Sequence, residues 1–249
     1  IWWLTIFMRG MTEGAENNYF TVTYPLLSLM GGIAGWVFSQ KWGGFKSKLG
    51  ISIAMFSLGL LAQFVGQALY SYYIYVLGIE VPYPSIGDIS FFASVILYII
   101  GVVYLAKVSG LKMSVKSVRG KLQAFLIPLI ILLVSYFVFL KGYVPDWSDK
   151  IVIFLDFGFP IGQAVYVSIA ALALLISKDI LGGMMRKPIM LLIIALILQY
   201  VADFNFSYQV SRDAWYVGGF NDYLYCASYF FMAISLFSIG NMFYKVQES

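Results

Sequence analysis

Two aspartates inside apolar runs pose the chemical question of this chain. Asp156 lies seven residues beyond Asp149, about 10 Å along a helix at 1.5 Å per residue. Asp203 lies nine residues before Arg212, with Gln199 one helical turn away. Carboxylates in lipid are costly, so they face a bundle interior or a cavity and mark functional sites. Helical spacing gathers further polar groups onto single faces: Gln63 with Gln67 and Tyr70, Asp156 with Gln163, Gln199 with Asp203, and Asp222 with Tyr225 and Tyr229. The basic residues toward the same pole are Arg9, Lys141, Lys150 and Arg212, all in loops or at the ends of runs. Either some of these acids hold a proton, or a cation or basic ligand fills the space among them. The candidate ligand-binding set is therefore Asp88, Asp156, Asp203, Asp222, Gln67, Gln163, Gln199 and Tyr229.

Most other chemistry is out of reach. The chain has no histidine and one cysteine, Cys226. A nucleophile–His–acid triad lacks its base. Zinc, haem and iron–sulfur sites lack their ligands, which leaves a carboxylate-bound hard cation as the surviving metal chemistry. The expectation is a non-enzyme with no resident metal or cofactor.

Two of the acids have a plainer reading. Ser85-Ile-Gly-Asp88 has the spacing of a capping box, with Ser85 as N-cap and Asp88 at the third helical position. Pro84 just before it blocks extension of the helix backwards. Asp146-Trp-Ser-Asp149 and Gly219-Phe-Asn-Asp222 read likewise. A carboxylate in a first turn also meets the positive end of the helix dipole, worth roughly 0.3–1 kcal/mol. Tyrosines and tryptophans crowd the same pole, among them Tyr70, Tyr72, Tyr73, Tyr75, Tyr83, Trp147, Tyr200, Tyr208, Trp215, Tyr216 and Tyr223. They form an interfacial belt, or the wall of a pocket that holds a cation by its ring faces.

The elements that must position these groups follow from composition. Of the 249 residues 61% are hydrophobic and 11% charged, with mean hydropathy +0.85. That charge cannot cover a water-facing surface, so the lipid bilayer is the solvent for most of the chain. A spanning helix needs about 20 apolar residues. Seven runs qualify, near 19–40, 49–73, 87–106, 122–140, 151–177, 188–209 and 221–244. The fold class expected is an all-α membrane protein, one seven-helix bundle over 1–249. The first residues, IWWLTIFMRG, are apolar but too short to span, and they do not make a complete signal peptide. A start at Ile1 fits a processed or cut chain.

Orientation follows from the loops. Cytoplasmic loops carry the Lys/Arg excess. One set of connections holds Lys41, Lys46, Lys48, Lys107, Lys112, Lys116, Arg119, Lys121, Lys178, Arg186, Lys187 and Lys245, while ten of the twelve acids fall on the other side. This predicts the N-terminus outside, the C-terminus inside, and a plasma-membrane location. The net charge of +4 is this topology plus attraction to anionic inner-leaflet lipid, and gives no nucleic-acid signal. The basic loop KVSGLKMSVKSVRGK reads as an orientation signal, or as a docking site for a cytoplasmic partner. Gly31/Gly35 and Gly158/Gly162 read as internal helix packing, and Pro25, Pro128 and Pro160 as sites that bend their spans.

The chain also echoes itself. Asp88-Ile-Ser-Phe-Phe-Ala-Ser-Val aligns with Asp222-Tyr-Leu-Tyr-Cys-Ala-Ser-Tyr at an offset of 134. At nearly that offset Tyr24-Pro25 meets Phe159-Pro160, and Gln63/Gln67 falls near Gln199/Asp203. Spans 1–3 thus pair with spans 5–7 as a parallel repeat, with span 4 as the bridge.

Seven spans with N outside and C inside match a microbial rhodopsin in outline, but residues 221–244 contain no lysine for a retinal Schiff base. The stretch GQALYSYYIYVLGIEVPYPSIGDISFF, with DFGFPIG and VADFNFSYQ after it, resembles the uncharacterised multi-span sensory regions of prokaryotes. Those regions are often fused at the C-terminus to diguanylate cyclase or histidine kinase modules. The resemblance covers roughly spans 2–7, and its most specific part is the Pro-Tyr-Pro-Ser-x-x-Asp turn at 82–88. It implies a membrane region that senses something and passes a movement inward to a cytoplasmic signalling domain or partner. This chain departs from the pattern by ending at Val246-Gln-Glu-Ser249 without an output module, as a cut fragment or a stand-alone relative would. The reading is a receptor or sensory module whose outward pocket takes a small, cationic ligand or protons. A small transporter or proton-coupled carrier using the same acids is the alternative, and a structural subunit of a membrane complex the third.

Overall fold

The computed structural model describes residues 1–108, 118–137, 141, 147–176, 186–210, 212 and 214–247. The described residues are helical, with no strand among them. The helices are α1 (Trp2–Met8), α2 (Ala15–Thr23), α3 (Leu26–Lys41), α4 (Lys48–Ser71), α5 (Ile86–Val108), α6 (Val118–Ser135), α7 (Lys150–Ile176), α8 (Arg186–Val210) and α9 (Phe220–Gln247). A π-helical turn, Tyr72–Leu77, extends α4 and ends at Gly78 with a left-handed φ of 62°. Among the described residues six helices are long and apolar enough to cross a membrane: Ala15–Lys41 taken as one, Lys48–Leu77, α5, Lys150–Ala173, α8 and Phe220–Tyr244. The chain is an all-helical, multi-pass membrane protein.

Seven spans are expected, and six are found among the described residues. The fourth expected run falls on α6, where the apolar stretch Lys121–Val134 is shorter than the other six. Residues 138–140 of that run lie outside the described residues.

Local sequence sets the helix starts. Ser47 caps α4 by accepting from the Gly50 amide at 2.8 Å, and Asp149 caps α7 by accepting from the amides of Ile151 and Val152 at 3.0 and 3.1 Å. Each satisfies donors that a first turn leaves without partners. Asp146 lies outside the described residues. Of the three prolines expected to bend spans, Pro25 separates α2 from α3, while Pro128 and Pro160 sit inside continuous helices.

Packing arranges the six long helices as a closed ring: α3 against α4, α4 against α5, α5 against α7, α7 against α8, α8 against α9, and α9 back against α3. Helix α6 packs on α7, outside the ring. Outward faces are largely apolar; along α3 the exposed large apolar residues are Leu26, Met30, Ile33 and Val37, a stripe of helical period. Between membrane helices there is little hydrophobic drive, so close packing and small residues hold the contacts. A Cβ added at Gly31 would come 2.8 Å from the Ala233 Cβ on α9, and one at Gly35 would come 2.3 Å from Ser57 Oγ on α4. Gly158 and Gly162 lie likewise against Phe92 and Val95 of α5. Both glycine pairs are therefore internal seams, as their spacing predicts.

The two ends of the ring differ. At the Asp88/Asp222 end, α1 folds over the start of α9: the Trp3 indole donates to the carbonyls of Gly218 and Gly219 at 3.2 and 3.1 Å and stacks on Tyr223. Asn17 donates to the carbonyls of Met11 and Val217, which pins the same cover to α2. At the Lys41/Lys48 end the ring closes on apolar side chains, among them Ile53, Phe56, Leu105, Ile189 and Leu236. There the Trp42 indole donates to the Ile239 carbonyl, and Lys41 meets the Tyr244 hydroxyl.

Candidate functional site

Asp203 is the centre of the largest polar convergence among the described residues. It sits on α8, partly buried, one turn beyond Gln199. The Gln163 amide on α7 donates to its Oδ2 at 2.7 Å, and the Tyr225 hydroxyl on α9 donates to its Oδ1 at 2.6 Å. The Gln199 amide adds longer contacts of 3.3 and 3.4 Å from its own helix. Three helices thus meet on one carboxylate. Ser228 of α9 extends the network by donating to the Gln199 side-chain oxygen at 3.1 Å and to the Ala195 carbonyl at 3.0 Å.

A second network lies across the ring. The Gln63 amide on α4 donates to Ser94 Oγ on α5 at 2.7 Å. Its side-chain oxygen accepts from the Tyr229 hydroxyl on α9 at 2.9 Å, with Gln67 beside that hydroxyl. The Tyr225 and Tyr229 rings stack with centroids 6.2 Å apart and so join the two networks on one face of α9. Between them stand Tyr98 of α5 and Tyr166 of α7, edge to face at 5.9 Å and fully buried.

Of the remaining candidate acids, Asp88 and Asp156 have partners outside these networks, while Asp222 meets Tyr24, whose ring stacks on Tyr229 at 6.0 Å. Asp88 is a completed capping box: its Oδ2 accepts from the Ser85 amide and hydroxyl, each at 2.7 Å, and its own amide donates to Ser85 Oγ at 3.3 Å. Its other oxygen accepts from the Tyr70 hydroxyl at 2.7 Å. Asp222 holds the start of α9, accepting from the Gly218 amide at 2.8 Å and from Thr21 Oγ1 of α2 at 2.7 Å. Asp156, on the first turns of α7, accepts from the Tyr83 hydroxyl at 2.6 Å. Tyr83 belongs to the strap between α4 and α5, which this contact ties to α7. Burial, and then the Asp156 carboxylate beside it, push the Tyr83 phenol well above its ordinary range, so it remains a donor through neutral and mildly alkaline pH.

The structure therefore brings together Asp203, Gln163 and Gln199, and separately Gln67 and Tyr229. It gives Asp88 and Asp156 other partners, and links Asp222 through Tyr24 to the edge of the Tyr229 network. Asp156 and Gln163 share a helix, but their described partners differ: Tyr83 for one and Asp203 for the other. Ser94, Ser228, Gln63, Tyr225, Tyr98 and Tyr166 complete the interior without belonging to the expected set. Ser94 and Ser228 occupy matched places in the internal echo, which was the available signal. The buried tyrosines look like ordinary aromatic core in sequence.

Among the described residues the ion pair found is Arg9–Glu16 at 3.1 Å, exposed and remote from this interior. No group of three or more His, Cys, Asp or Glu is placed to hold a metal ion among the described residues. Compared with protein-family models, curated proteins and solved structures, the chain matches none.

Proposed function

We propose that this chain is a membrane receptor or sensory module whose binding site is the Asp203-centred interior, reached from the Asp88/Asp222 end. One observation carries the reading: polar side chains converge in one half of the ring, and the other half is closed by apolar packing. A carrier needs a site that can open to both sides. A receptor needs a site open to one side and a packed remainder that transmits a shift. The apolar half, where Phe56, Leu60, Leu105 and Leu196 are almost fully buried, suits the second role.

In this proposal the N-terminus and the Asp88/Asp222 end face out of the cell, and the Lys/Arg-rich connections face the cytoplasm, by the positive-inside rule. The protein resides in the plasma membrane, and a cytoplasmic domain or partner reads the movement of the basic end. A duplication of spans 1–3 and 5–7 is supported by two similar glutamine–serine contacts. Gln63 donates to Ser94 and Gln199 accepts from Ser228; the serines correspond in the internal echo and the glutamines fall near each other in it. The peripheral place of α6 suits a bridge between the halves.

Cysteine accessibility tests the proposal. In a Cys226→Ser background, Gln67→Cys is expected to react with a charged thiol reagent added from the outside of intact cells. Leu105→Cys and Leu196→Cys are expected to stay unreactive from both sides. Reaction of either of the latter pair from the cytoplasmic side would replace the receptor with a carrier.

A further inference from the structure

We infer that Asp203, Tyr98 and Tyr166 form a binding site for one small, hard monovalent cation of sodium size. The inference deepens the proposed receptor site by naming the class of its occupant.

The first ground is an unmet demand for partners. The hydroxyls of Tyr98 and Tyr166 are buried and without a hydrogen-bond partner among the described residues. Their residues are 1% and 0% exposed. A buried hydroxyl with no partner costs about 1–3 kcal/mol, and here two belong to rings in edge-to-face contact at 5.9 Å. Tyr166 lies one helical turn from Gln163, whose amide donates to the Asp203 carboxylate, and its ring meets that of Tyr98. Tyr98 and Tyr166 belong to α5 and α7, and Asp203 to α8, so the three groups come from three neighbouring helices.

The second ground is charge. Every partner found for Asp203 is neutral: two glutamine amides and a phenol. Neutral donors orient a carboxylate but do not cancel its charge, and an unbalanced charge in the membrane interior is costly. One carboxylate balances one positive charge. A divalent ion would call for more carboxylates, and no group of three or more His, Cys, Asp or Glu is placed to hold one among the described residues.

The third ground is donor type. The available atoms are oxygens: the Asp203 carboxylate and the two phenols. Oxygen-only ligation selects hard cations over soft or borderline ones. The Gln163 and Tyr225 contacts hold the carboxylate in place, so the site is preorganised before the ion arrives.

The test uses the purified full chain in detergent, with sodium chloride replacing N-methylglucamine chloride at constant ionic strength. The melting temperature is expected to rise saturably with sodium, as it does for any ligand that binds only the folded state. Asp203→Asn is expected to abolish the rise. Tyr98→Phe/Tyr166→Phe keeps both rings and removes only the two oxygens. It is expected to raise the half-saturating sodium concentration about tenfold or more, equivalent to one lost contact. Asp149→Asn, at an exposed helix cap, is expected to keep the full rise. Equal melting in sodium and N-methylglucamine overturns the inference, as does an unchanged half-saturation in the double phenylalanine variant. Should Asp203→Asn fail to fold, the double variant alone decides. A sodium-dependent rise together with an unreactive Gln67→Cys would keep the cation site and overturn its access from outside, so the two readings fail separately.

Discussion

The side-chain amide of Gln163 on α7 donates to the Asp203 carboxylate on α8 at 2.7 Å, and so joins two neighbouring helices through the one acid that three helices share. Removing one member of such a network leaves the others buried and underbonded. Gln163→Leu and Tyr225→Phe are each expected to destabilise the protein by about 1–2 kcal/mol, in line with hydrogen bonds inside membrane bundles. The double variant should lose less than the sum, because both changes release the same carboxylate. Reversible unfolding in mixed detergent measures all three. Strict additivity would mean that the two bonds act independently and that Asp203 is not their common hub.

Asp203 was readable from sequence because a carboxylate in an apolar run has no bland explanation once caps are set aside. Gln199 and Gln163 followed from helical spacing alone. What spacing cannot supply is the partner across an interface. Asp156 and Asp203 look alike along the chain, yet one meets the strap tyrosine Tyr83 and the other meets two ring helices. That difference depends on how α7 is rotated against its neighbours, a tertiary property. Tyr98 and Tyr166 are invisible for a related reason: in an apolar run a tyrosine reads as core or belt, and only packing reveals a hydroxyl with no partner. The shortfall at α6 has a different origin. An apolar run of spanning length sets what lipid tolerates, but it does not make every such run a ring member.

The capping box at Ser85–Asp88 should behave as a structural device. Ser85→Ala and Asp88→Ala each remove a first-turn hydrogen bond and are expected to cost roughly 0.5–2 kcal/mol. Asp88→Ala should cost the more of the two, since it also strands the Tyr70 hydroxyl. Thermal melting separates them. Asp88→Asn keeps an acceptor for Tyr70 and should lie between wild type and Asp88→Ala. A loss in Ser85→Ala larger than in Asp88→Ala would contradict the cap geometry.

Gly35 tests the ring closure. With α4 and α9 this close, a methyl at position 35 would sit 2.3 Å from Ser57 Oγ and 2.7 Å from Leu236 Cδ1. Overpacking of this kind typically costs about 1–3 kcal/mol. Gly35→Ala is expected to lower the melting temperature markedly, and Gly35→Leu to reduce the yield of folded protein. Met30→Leu, on the exposed stripe of the same helix, should change neither. Ser57→Ala combined with Gly35→Ala should recover part of the loss, because it removes the nearest atom. Recovery is what distinguishes a local clash from a general effect on α3.

The strap contact between Tyr83 and Asp156 predicts a specific dependence on alkaline pH. The folded phenol ionises above its unfolded value of about 10, because burial and the neighbouring carboxylate disfavour the phenolate. A group whose folded pKa is raised contributes stability that is fully present below its unfolded pKa and lost as pH rises through the folded value. The advantage of wild type over Tyr83→Phe should therefore be constant from about pH 6 to 9 and shrink only as the pH climbs past about 10. Tyr83 is half exposed, so solvent and salt weaken the contact and keep the plateau small. Asp156→Asn should remove most of the difference between Tyr83 and Tyr83→Phe, since it takes away the charge that the hydroxyl serves. Melting curves of the four proteins across this range form a double-mutant cycle at each pH. A coupling that falls between pH 6 and 9, where the phenol is still protonated, would mean that the strap is held by something other than this bond.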